Sequence, residues 1–205
     1  MDVRPSGRPR LFDRDRAVRD AAHLFWRHGF SGTSTRVLTA ALGISSSSLY
    51  AAFGSKAGLF AEAVHMHARR YTAIYERAVS EADLGHVVDR LLVDSVHEFT
   101  RVGDDHVGCL TTSAAMADAP DTLDVRTFVD ERQRADKRLL RERVERAVLD
   151  GEVLGDVDAA AFTDLVQTLW HGLSVRASLG AGRTELLASV RLAHALIAGT
   201  LRAQG

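Results

Sequence analysis

The most constraining stretch of this sequence lies near its N-terminus, at residues 33–56, and reads TSTRVLTAALGISSSSLYAAFGSK. Apolar residues recur there at the three- and four-residue spacing of a short helix, at Leu38, Ala41 and Leu42. Gly43 can adopt the backbone that a tight helix end requires. Ser45 or Ser46 can then cap a second helix by accepting backbone N–H groups. The stretch therefore predicts a helix-turn-helix.

The second of these helices is predicted to have two unlike faces. Leu49 and Phe53 lie four residues apart and face the first helix. The opposite face consists of small or polar residues beside Tyr50, namely Ser46, Ser47, Ser48, Ala51 and Ala52. Small side chains allow a helix to lie deep in the major groove of DNA. We therefore predict that this helix reads double-stranded DNA.

A longer set of segments resembles a known protein family. The runs GFSGTST, AALGIS, SLY, FGSK and LF are similar to the DNA-binding domain of TetR-type transcriptional regulators. The resemblance implies an all-α fold with a three-helix helix-turn-helix domain at residues 13–56 and a helical effector-binding and dimerisation domain at 57–205. A flexible basic arm at 1–12 would precede them. The competing interpretation is an ordinary helical hairpin within an enzyme.

The resemblance and the side-chain chemistry together suggest DNA contacts at Thr35, Arg36, Ser46, Ser47, Ser48, Tyr50, Ala51 and Lys56. Thr35 is predicted to cap its helix and to donate its hydroxyl to a phosphate, whereas Arg36 offers five N–H donors to a guanine edge or a phosphate. Serine hydroxyls and alanine methyl groups suit base edges, including the thymine methyl group. By resemblance, Tyr50 and Lys56 hold the DNA backbone. The serine-rich face departs from relatives with larger polar residues, so it specifies no operator sequence.

The charge of the chain is unevenly distributed. The net charge is −1, but residues 1–56 contain nine basic and four acidic residues, a net charge of +5, and the remainder is −6. This asymmetry is typical of a nucleic-acid-binding head on an acidic body. In the arm, Arg4, Arg8 and Arg10 are expected either to reach DNA or to belong to a disordered terminus.

Downstream of the head, apolar periodicity predicts a long helix over 56–80 and further helices over 86–102, 109–116, 123–149, 159–179 and 184–203. The long helix would begin in the head and end in the body, which makes it a candidate lever, although it could equally be a simple connector. The last two helices are apolar on more than one face, which predicts a homodimer interface. The alternative is a central buried helix in a monomer. Two reading helices in a dimer suit a palindromic operator.

Two interpretations concern the body. Aromatic and polar residues predict a pocket for a small apolar or aromatic effector, or equally a filled core: Phe99, Cys109, Phe128, Phe162, Trp170 and His171. Cys109, the single cysteine, is expected near a helix N-terminus, where a thiolate is favoured. Its GCL segment is similar to that of some TetR-type regulators that sense oxidants or electrophiles. The alternative is a small buried apolar residue.

Other function classes have little support in the sequence. It contains no phosphate-binding loop, HExxH, GxSxG or CxxC motif, so we expect no catalytic site, metal site or cofactor. The start has no apolar segment typical of a secretory signal, and no apolar run reaches the roughly 20 residues that span a bilayer. The cytoplasm is the expected location, with no membrane partner. A nonspecific structural DNA-binding protein is the remaining competing class.

Overall fold

The computed structural model describes residues 13–101, 108–117, 125–153, 157–199 and 201, without the side chains at 114–117, 125–126, 128–129 and 132. Over these residues the chain forms nine α-helices and no strand, with one isolated β-bridge between Val153 and Leu201. The helices are α1 (Arg14–Gly32), α2 (Thr35–Leu42), α3 (Ser46–Phe53), α4 (Lys56–Val79), α5 (Leu84–Phe99), α6 (Leu110–Ala117), α7 (Val125–Leu149), α8 (Ala159–Ser178) and α9 (Arg183–Ala198). The predicted all-α fold with an N-terminal helix-turn-helix is confirmed.

Serine caps and one glycine define the turn between α2 and α3. Ser34 Oγ accepts the backbone N–H of Val37 at 3.2 Å, so Ser34 caps α2 and the prediction that Thr35 does so is wrong. Gly43 ends α2 with φ 64°, in the left-handed region that glycine adopts without steric cost. Ser45 caps α3 in the same way, at 3.1 Å. The tight turn therefore rests on hydrogen bonds encoded locally.

Helix α1 begins at an Asp13 cap, where the carboxylate accepts the backbone N–H of Arg16 at 3.0 Å. The regular helix breaks at Gly29, at φ 70°. One further turn nevertheless continues to Gly32. The buried Thr33 hydroxyl donates to the Gly29 carbonyl at 2.7 Å, which fixes the path of the chain towards α2.

The head has its own aromatic core. Phe60 of α4 contacts the rings of Phe25 and Phe30 of α1, at centroid separations of 5.0 and 5.1 Å. Further buried members of this cluster are Leu38, Leu49, Phe53, Leu59, Val64 and Leu110. Leu49 and Phe53 therefore pack α3 onto the same core that joins α1 to α4. This packing fixes the orientation of the exposed face of α3 relative to the rest of the head.

The body core is built from α4, α5, α7, α8 and α9. Trp170 of α8 lies at its centre, 5.2 Å from the Phe99 ring and 5.4 Å from the Tyr71 ring between centroids. Helix α4 contributes Leu59 and Phe60 to the head core and Tyr71 to the body core. One continuous helix, Lys56–Val79, thus contributes to both cores; the predicted bounds were 56–80.

Several helix bounds differ from those predicted. Helix α5 begins at Leu84, before the predicted residue 86, because Asp83 caps it through the backbone N–H of His86. Helix α9 ends at Ala198 and not at 203. The predicted arm, residues 1–12 with Arg4, Arg8 and Arg10, lies outside the described residues. No helix in the described segments is long and apolar enough to cross a membrane.

Candidate DNA-binding surface and effector cavity

Helix α3 presents a small exposed face. Leu49 and Phe53 are buried beneath it. The exposed residues are Ser46, Ser47, Tyr50 and Ala51. Tyr50 is the one large side chain among them and is 50% exposed. The structure therefore brings together four of the predicted DNA contacts on one surface without a long charged side chain.

Ser45 organises the serine cluster at the start of α3. Its hydroxyl lies 2.8 Å from the Ser47 hydroxyl and 2.9 Å from the Ser48 hydroxyl, and it accepts the Ser48 backbone N–H. Ser48 is only partly exposed and lines a groove against α1 that also includes Asp13 and Arg16. Ser48 therefore faces α1, whereas the Ser46 hydroxyl takes no part in the serine cluster.

Helix α2 adds residues next to the turn. Arg36 is exposed and Thr35 is partly buried at the start of the helix. Val37 is 42% exposed, although the sequence pattern gave it no role. The available signal was its position outside the apolar stripe formed by Leu38 and Leu42. The exposed N-terminal part of α2 therefore combines a guanidinium with an apolar side chain.

Lys56 is held inside the head. Its ammonium donates to the Phe30 carbonyl at 2.9 Å and lies 4.0 Å above the centroid of the Phe30 ring. Both contacts tie the first residue of α4 to the end of α1, since a cation is attracted to the face of an aromatic ring. The structure thus gives Lys56 a role in positioning α4, beside its predicted contact with the DNA backbone.

Arg14 is a positioning residue that sequence reasoning counted only as charge. Its guanidinium forms a 2.5 Å ion pair with Glu62 of α4 and lies 5.0 Å from the centroid of the Phe53 ring of α3. It also reaches the Ala52 carbonyl at 3.5 Å. One side chain therefore connects α1, α3 and α4. No local pattern could show this, because the partners are far apart in sequence.

The body contains a narrow cavity of about 20 Å³. It is lined by residues of α4, α6, α7 and α8: Ala68, Tyr71, Tyr75, Thr111, Gln133, Asp136, Gln167 and Trp170. Such a volume is close to what one water molecule needs, whereas pockets for small-molecule ligands hold roughly 300–1,000 Å³. The cavity in this structure is therefore smaller than a pocket for such a ligand.

The predicted pocket residues are divided by the structure. Trp170 lines the cavity, whereas Phe99 and Phe162 are buried in the surrounding core. His171 packs edge-on against the Trp170 ring, and burial lowers the pKa of its imidazole. The side chain of Phe128 lies outside the described residues. The remaining lining residues were missed, although Tyr71 and Tyr75 stand four residues apart on the predicted long helix.

Cys109 precedes α6 and is fully buried. Its Sγ lies 2.7 Å from the Thr111 hydroxyl. Burial raises the pKa of the Cys109 thiol, which outweighs the lowering by hydrogen bonds from Thr111 and Thr112. The direction is opposite to the one expected from a helix N-terminus, so the resting side chain is a thiol at neutral pH.

The segment around Cys109 joins the two cores. Gly108 accepts a hydrogen bond from the Tyr71 hydroxyl at 3.3 Å, and its backbone N–H donates to the Phe99 carbonyl at 2.9 Å. Cys109 belongs to the body core and the next residue, Leu110, to the head core. The start of α6 therefore contacts the cavity wall on one side and the head on the other.

Comparison with known proteins identifies the family. The model for bacterial regulatory proteins, tetR family, matches residues 18–63. A cysteine mutant of the TetR family transcriptional regulator CifR, complexed with 26-bp double-strand operator DNA, is 36% identical, with a TM-score of 0.79 over 92% of this chain and 98% of that chain. This chain belongs to the TetR family of transcriptional regulators.

Two relatives from Escherichia coli (strain K12) agree with this assignment. The HTH-type transcriptional repressor ComR is 28% identical over 183 residues, which is 88% of this chain and 87% of ComR. The HTH-type transcriptional repressor BdcR is 27% identical over 197 residues, 93% of this chain and 91% of BdcR. These proteins are regulators, and this chain is a DNA-binding regulator and not an enzyme.

The regulator also exposes leucines on the two helices for which a homodimer interface was predicted. Leu165 of α8 and Leu192 and Leu196 of α9 are exposed, as is Leu179 at the end of α8. Leu192 and Leu196 lie four residues apart, and therefore on the same face of α9. Buried residues such as Val166 and Leu186 form the opposite faces, which pack into the body core. Both helices are thus apolar on two sides.

Proposed function

We propose that this regulator is a repressor that binds a palindromic operator as a homodimer and leaves it when a small apolar or aromatic effector enters the body. The observation that carries the proposal is the small exposed face of α3, anchored by Leu49 and Phe53. A helix with this face can approach base edges closely in the major groove. The repressors ComR and BdcR and the operator complex of CifR support this function.

The proposed contacts divide into positioning and reading. Ser46 and Ala51 contact base edges, and Arg36 reaches a guanine edge or a phosphate. Tyr50 packs along the DNA backbone beside this face. Four further residues are proposed to contribute less to DNA binding. The hydroxyls of Ser47 and Ser48 and the ammonium of Lys56 already make hydrogen bonds within the protein. Thr35 is only partly exposed, at the edge of the surface.

A homodimer through α8 and α9 places two such faces on one operator. The exposed leucines of each protomer would be buried by the same surface of a second copy, as a two-fold interface requires. Two reading helices roughly 34–36 Å apart contact successive major grooves of a palindrome. Binding both half-sites together yields far higher affinity than a single head, because the second contact is intramolecular.

Two helices can transmit effector binding to the head. An occupied cavity would push on Tyr71 and Tyr75 of α4 and on Thr111 of α6. Helix α4 continues into the head, and Leu110 of α6 is part of the head core. Displacing these helices changes the separation of the two heads. A coupling of about 1–3 kcal/mol weakens operator binding by roughly 5- to 150-fold.

The first experiment is selection of bound sequences from random duplex DNA. We expect a palindromic motif, which then serves as the probe for effector screening by fluorescence anisotropy. The Tyr50→Ala protein is the control and should enrich the same motif more weakly, since Tyr50 is exposed beside the reading face. Salt-dependent binding without an enriched motif would contradict the proposal and favour a nonspecific DNA-binding protein.

A second candidate function is a redox- or electrophile-sensing repressor that is switched through Cys109. The observation in its favour is position, because Cys109 lies between the cavity wall and the head core. Its burial and raised thiol pKa oppose rapid reaction, so modification would require local opening. Cys109→Ser should keep operator binding and abolish release by N-ethylmaleimide or hypochlorite. Unchanged release in this variant would exclude the candidate.

A further inference from the structure

The last turn of α3 is held by a side chain of α1. Arg14, the first residue of α1, places its guanidinium 5.0 Å from the centroid of the Phe53 ring and 3.5 Å from the Ala52 carbonyl oxygen. The carbonyl groups in the last turn of a helix have no hydrogen-bond donor within that helix, and the negative end of the helix dipole attracts a cation. Arg14 therefore binds the C-terminal end of α3 from outside the helix-turn-helix.

Glu62 of α4 fixes the position of this guanidinium. The Arg14 nitrogen Nη2 that faces Ala52 also donates to Glu62 Oε1 at 2.5 Å. The Arg14 and Glu62 side chains are 51% and 34% exposed, and an ion pair with that exposure adds little to the stability of a fold. The pair therefore matters for where α3 lies and not for whether the head folds.

The first turn of α4 lies against the same end of α3. Gly58 has no side chain, and an added Cβ would overlap the Phe53 carbonyl oxygen. Helix α3 has only eight residues, and its two buried side chains, Leu49 and Phe53, face the core. Two contacts on one face of a short helix set its depth in the head but not its tilt. The tilt depends on what holds its ends, and at the C-terminal end α3 is held by Arg14, which Glu62 fixes, and by the first turn of α4.

We infer that Arg14 and Glu62 form a positioning pair that sets the tilt of α3 in the major groove, and through it the discrimination between the operator and unrelated DNA. The inference rests on the proposed function, because it takes α3 as the reading helix. Contacts to base edges require a fixed helix, whereas contacts to phosphates are available all along the DNA. Loosening α3 should therefore reduce specific binding more than nonspecific binding.

The effect of removing Glu62 separates positioning from simple electrostatics. Loss of a negative charge from a DNA-binding head ordinarily favours binding, since the DNA backbone is negative. Glu62→Gln should instead weaken operator binding about tenfold, because each of the two heads of a dimer loses roughly threefold. Asp15→Asn is the matched control, since Asp15 is exposed in the first turn of α1, beside Arg14. This variant removes the same charge and should keep or raise the operator affinity.

Arg14→Gln provides the complementary variant. It should weaken operator binding by the same factor, and the double variant with Glu62→Gln should lose no more than either single change, because the two side chains act as one unit. The dependence of operator affinity on salt should keep the wild-type slope. A phosphate contact by Arg14 would instead lower that slope by about 0.9 for each head. Thermal melts of both variants should stay close to the wild-type melt, which establishes that the head is folded.

The test combines fluorescence anisotropy with hydrogen exchange of the full chain. Anisotropy titrations use the selected operator and a scrambled duplex of the same length, and the ratio of the two affinities should fall about tenfold in Arg14→Gln and Glu62→Gln. Hydrogen exchange without DNA, followed by mass spectrometry, should be faster in α3 of both variants and unchanged in α5.

Three outcomes would overturn the positioning pair: tighter operator binding by Glu62→Gln, a lower salt slope in Arg14→Gln, or unchanged exchange of α3 in both variants. The first two would leave Arg14 as a phosphate contact. A wild-type protein that enriches no motif would refute the proposed function instead. The exchange of α3 in the free protein then decides separately whether Arg14 and Glu62 hold the helix, because that measurement needs no operator.

Discussion

Arg36 is the exposed side chain of α2 with the greatest capacity for hydrogen bonds to DNA. Because the exposed face of α3 carries only small side chains besides Tyr50, we expect Arg36 to carry a large share of direct readout. Arg36→Ala should cost about 1–3 kcal/mol of operator binding and relax the preference at one base pair. Anisotropy titrations against a set of operator variants measure both effects.

Arg146→Ala is the control for this prediction, since Arg146 is exposed on α7 in the body and its loss removes the same charge. It should leave operator binding unchanged. If Arg36→Ala instead weakened all operator variants equally, Arg36 would be a phosphate contact that fixes register and not sequence.

Gly108 is required for both its backbone and its lack of a side chain. Its φ is 97°, and an added Cβ would lie 2.0 Å from the Ser178 hydroxyl and 3.0 Å from the Ser174 carbonyl. Gly180 has a similar φ of 95° with no atom within 4 Å of the added Cβ. Gly180→Ala should therefore cost about 1–3 kcal/mol of unfolding free energy from backbone strain alone.

Gly108→Ala should cost about 1–3 kcal/mol more than Gly180→Ala, because the new methyl group also overlaps α8. Urea denaturation of the two variants measures the difference. Equal losses of unfolding free energy would mean that α8 moves to accommodate the methyl group, and that its close approach to Gly108 does not fix the position of the segment before α6.

At the scale of elements, α6 is as strong a candidate for coupling as α4. Leu110 is fully buried in the head core although its neighbours line the body. Leu110→Val should cost about 1 kcal/mol of stability and reduce the effector-induced loss of operator affinity. Leu140→Val, at an equally buried position in the body core, should cost a similar amount and leave the effector response intact.

The helix-turn-helix could be predicted because its determinants are local. The cap of α3, the left-handed Gly43 and the apolar spacing of Leu38 and Leu42 all lie within one short stretch. The prediction that Thr35 caps α2 was wrong by one residue, because threonine and serine stand side by side and both can cap. The local sequence thus predicts where the helix-turn-helix lies, but not which of two adjacent hydroxyl residues caps its first helix.

The cavity could not be predicted in the same way. Periodicity marks Phe99 and Phe162 as apolar, but it marks core and cavity positions alike. The aromatic wall of the cavity depends on Tyr71 and Tyr75 of α4 meeting Trp170 of α8, which only the packing of four helices decides. For the same reason the burial of Cys109, and hence its raised thiol pKa, followed from tertiary structure and not from its place beside α6.

At the scale of the whole molecule, the function proposed here depends on two copies. Among the described residues, Leu196 of α9 is 70% exposed and Leu149 at the end of α7 is 84% exposed. Judged by exposure alone, Leu149 would be the stronger candidate for the dimer interface. The two-sided apolar pattern of α8 and α9 instead places the interface at Leu196, because two packed helices with a second apolar face form a four-helix contact with their copies.

Leu196→Asp should therefore dissociate the dimer, since it buries a charge at the two-fold interface, whereas Leu149→Asp should not. Sedimentation equilibrium measures the mass of each variant, and circular dichroism verifies that the helices persist. The monomeric variant should lose operator affinity by more than about 100-fold, because it forfeits the intramolecular second contact. It should still bind a half-site weakly through the intact head. A dimeric Leu196→Asp with a monomeric Leu149→Asp would place the interface on α7, and the separation of the reading helices would then be set by a different pair of surfaces.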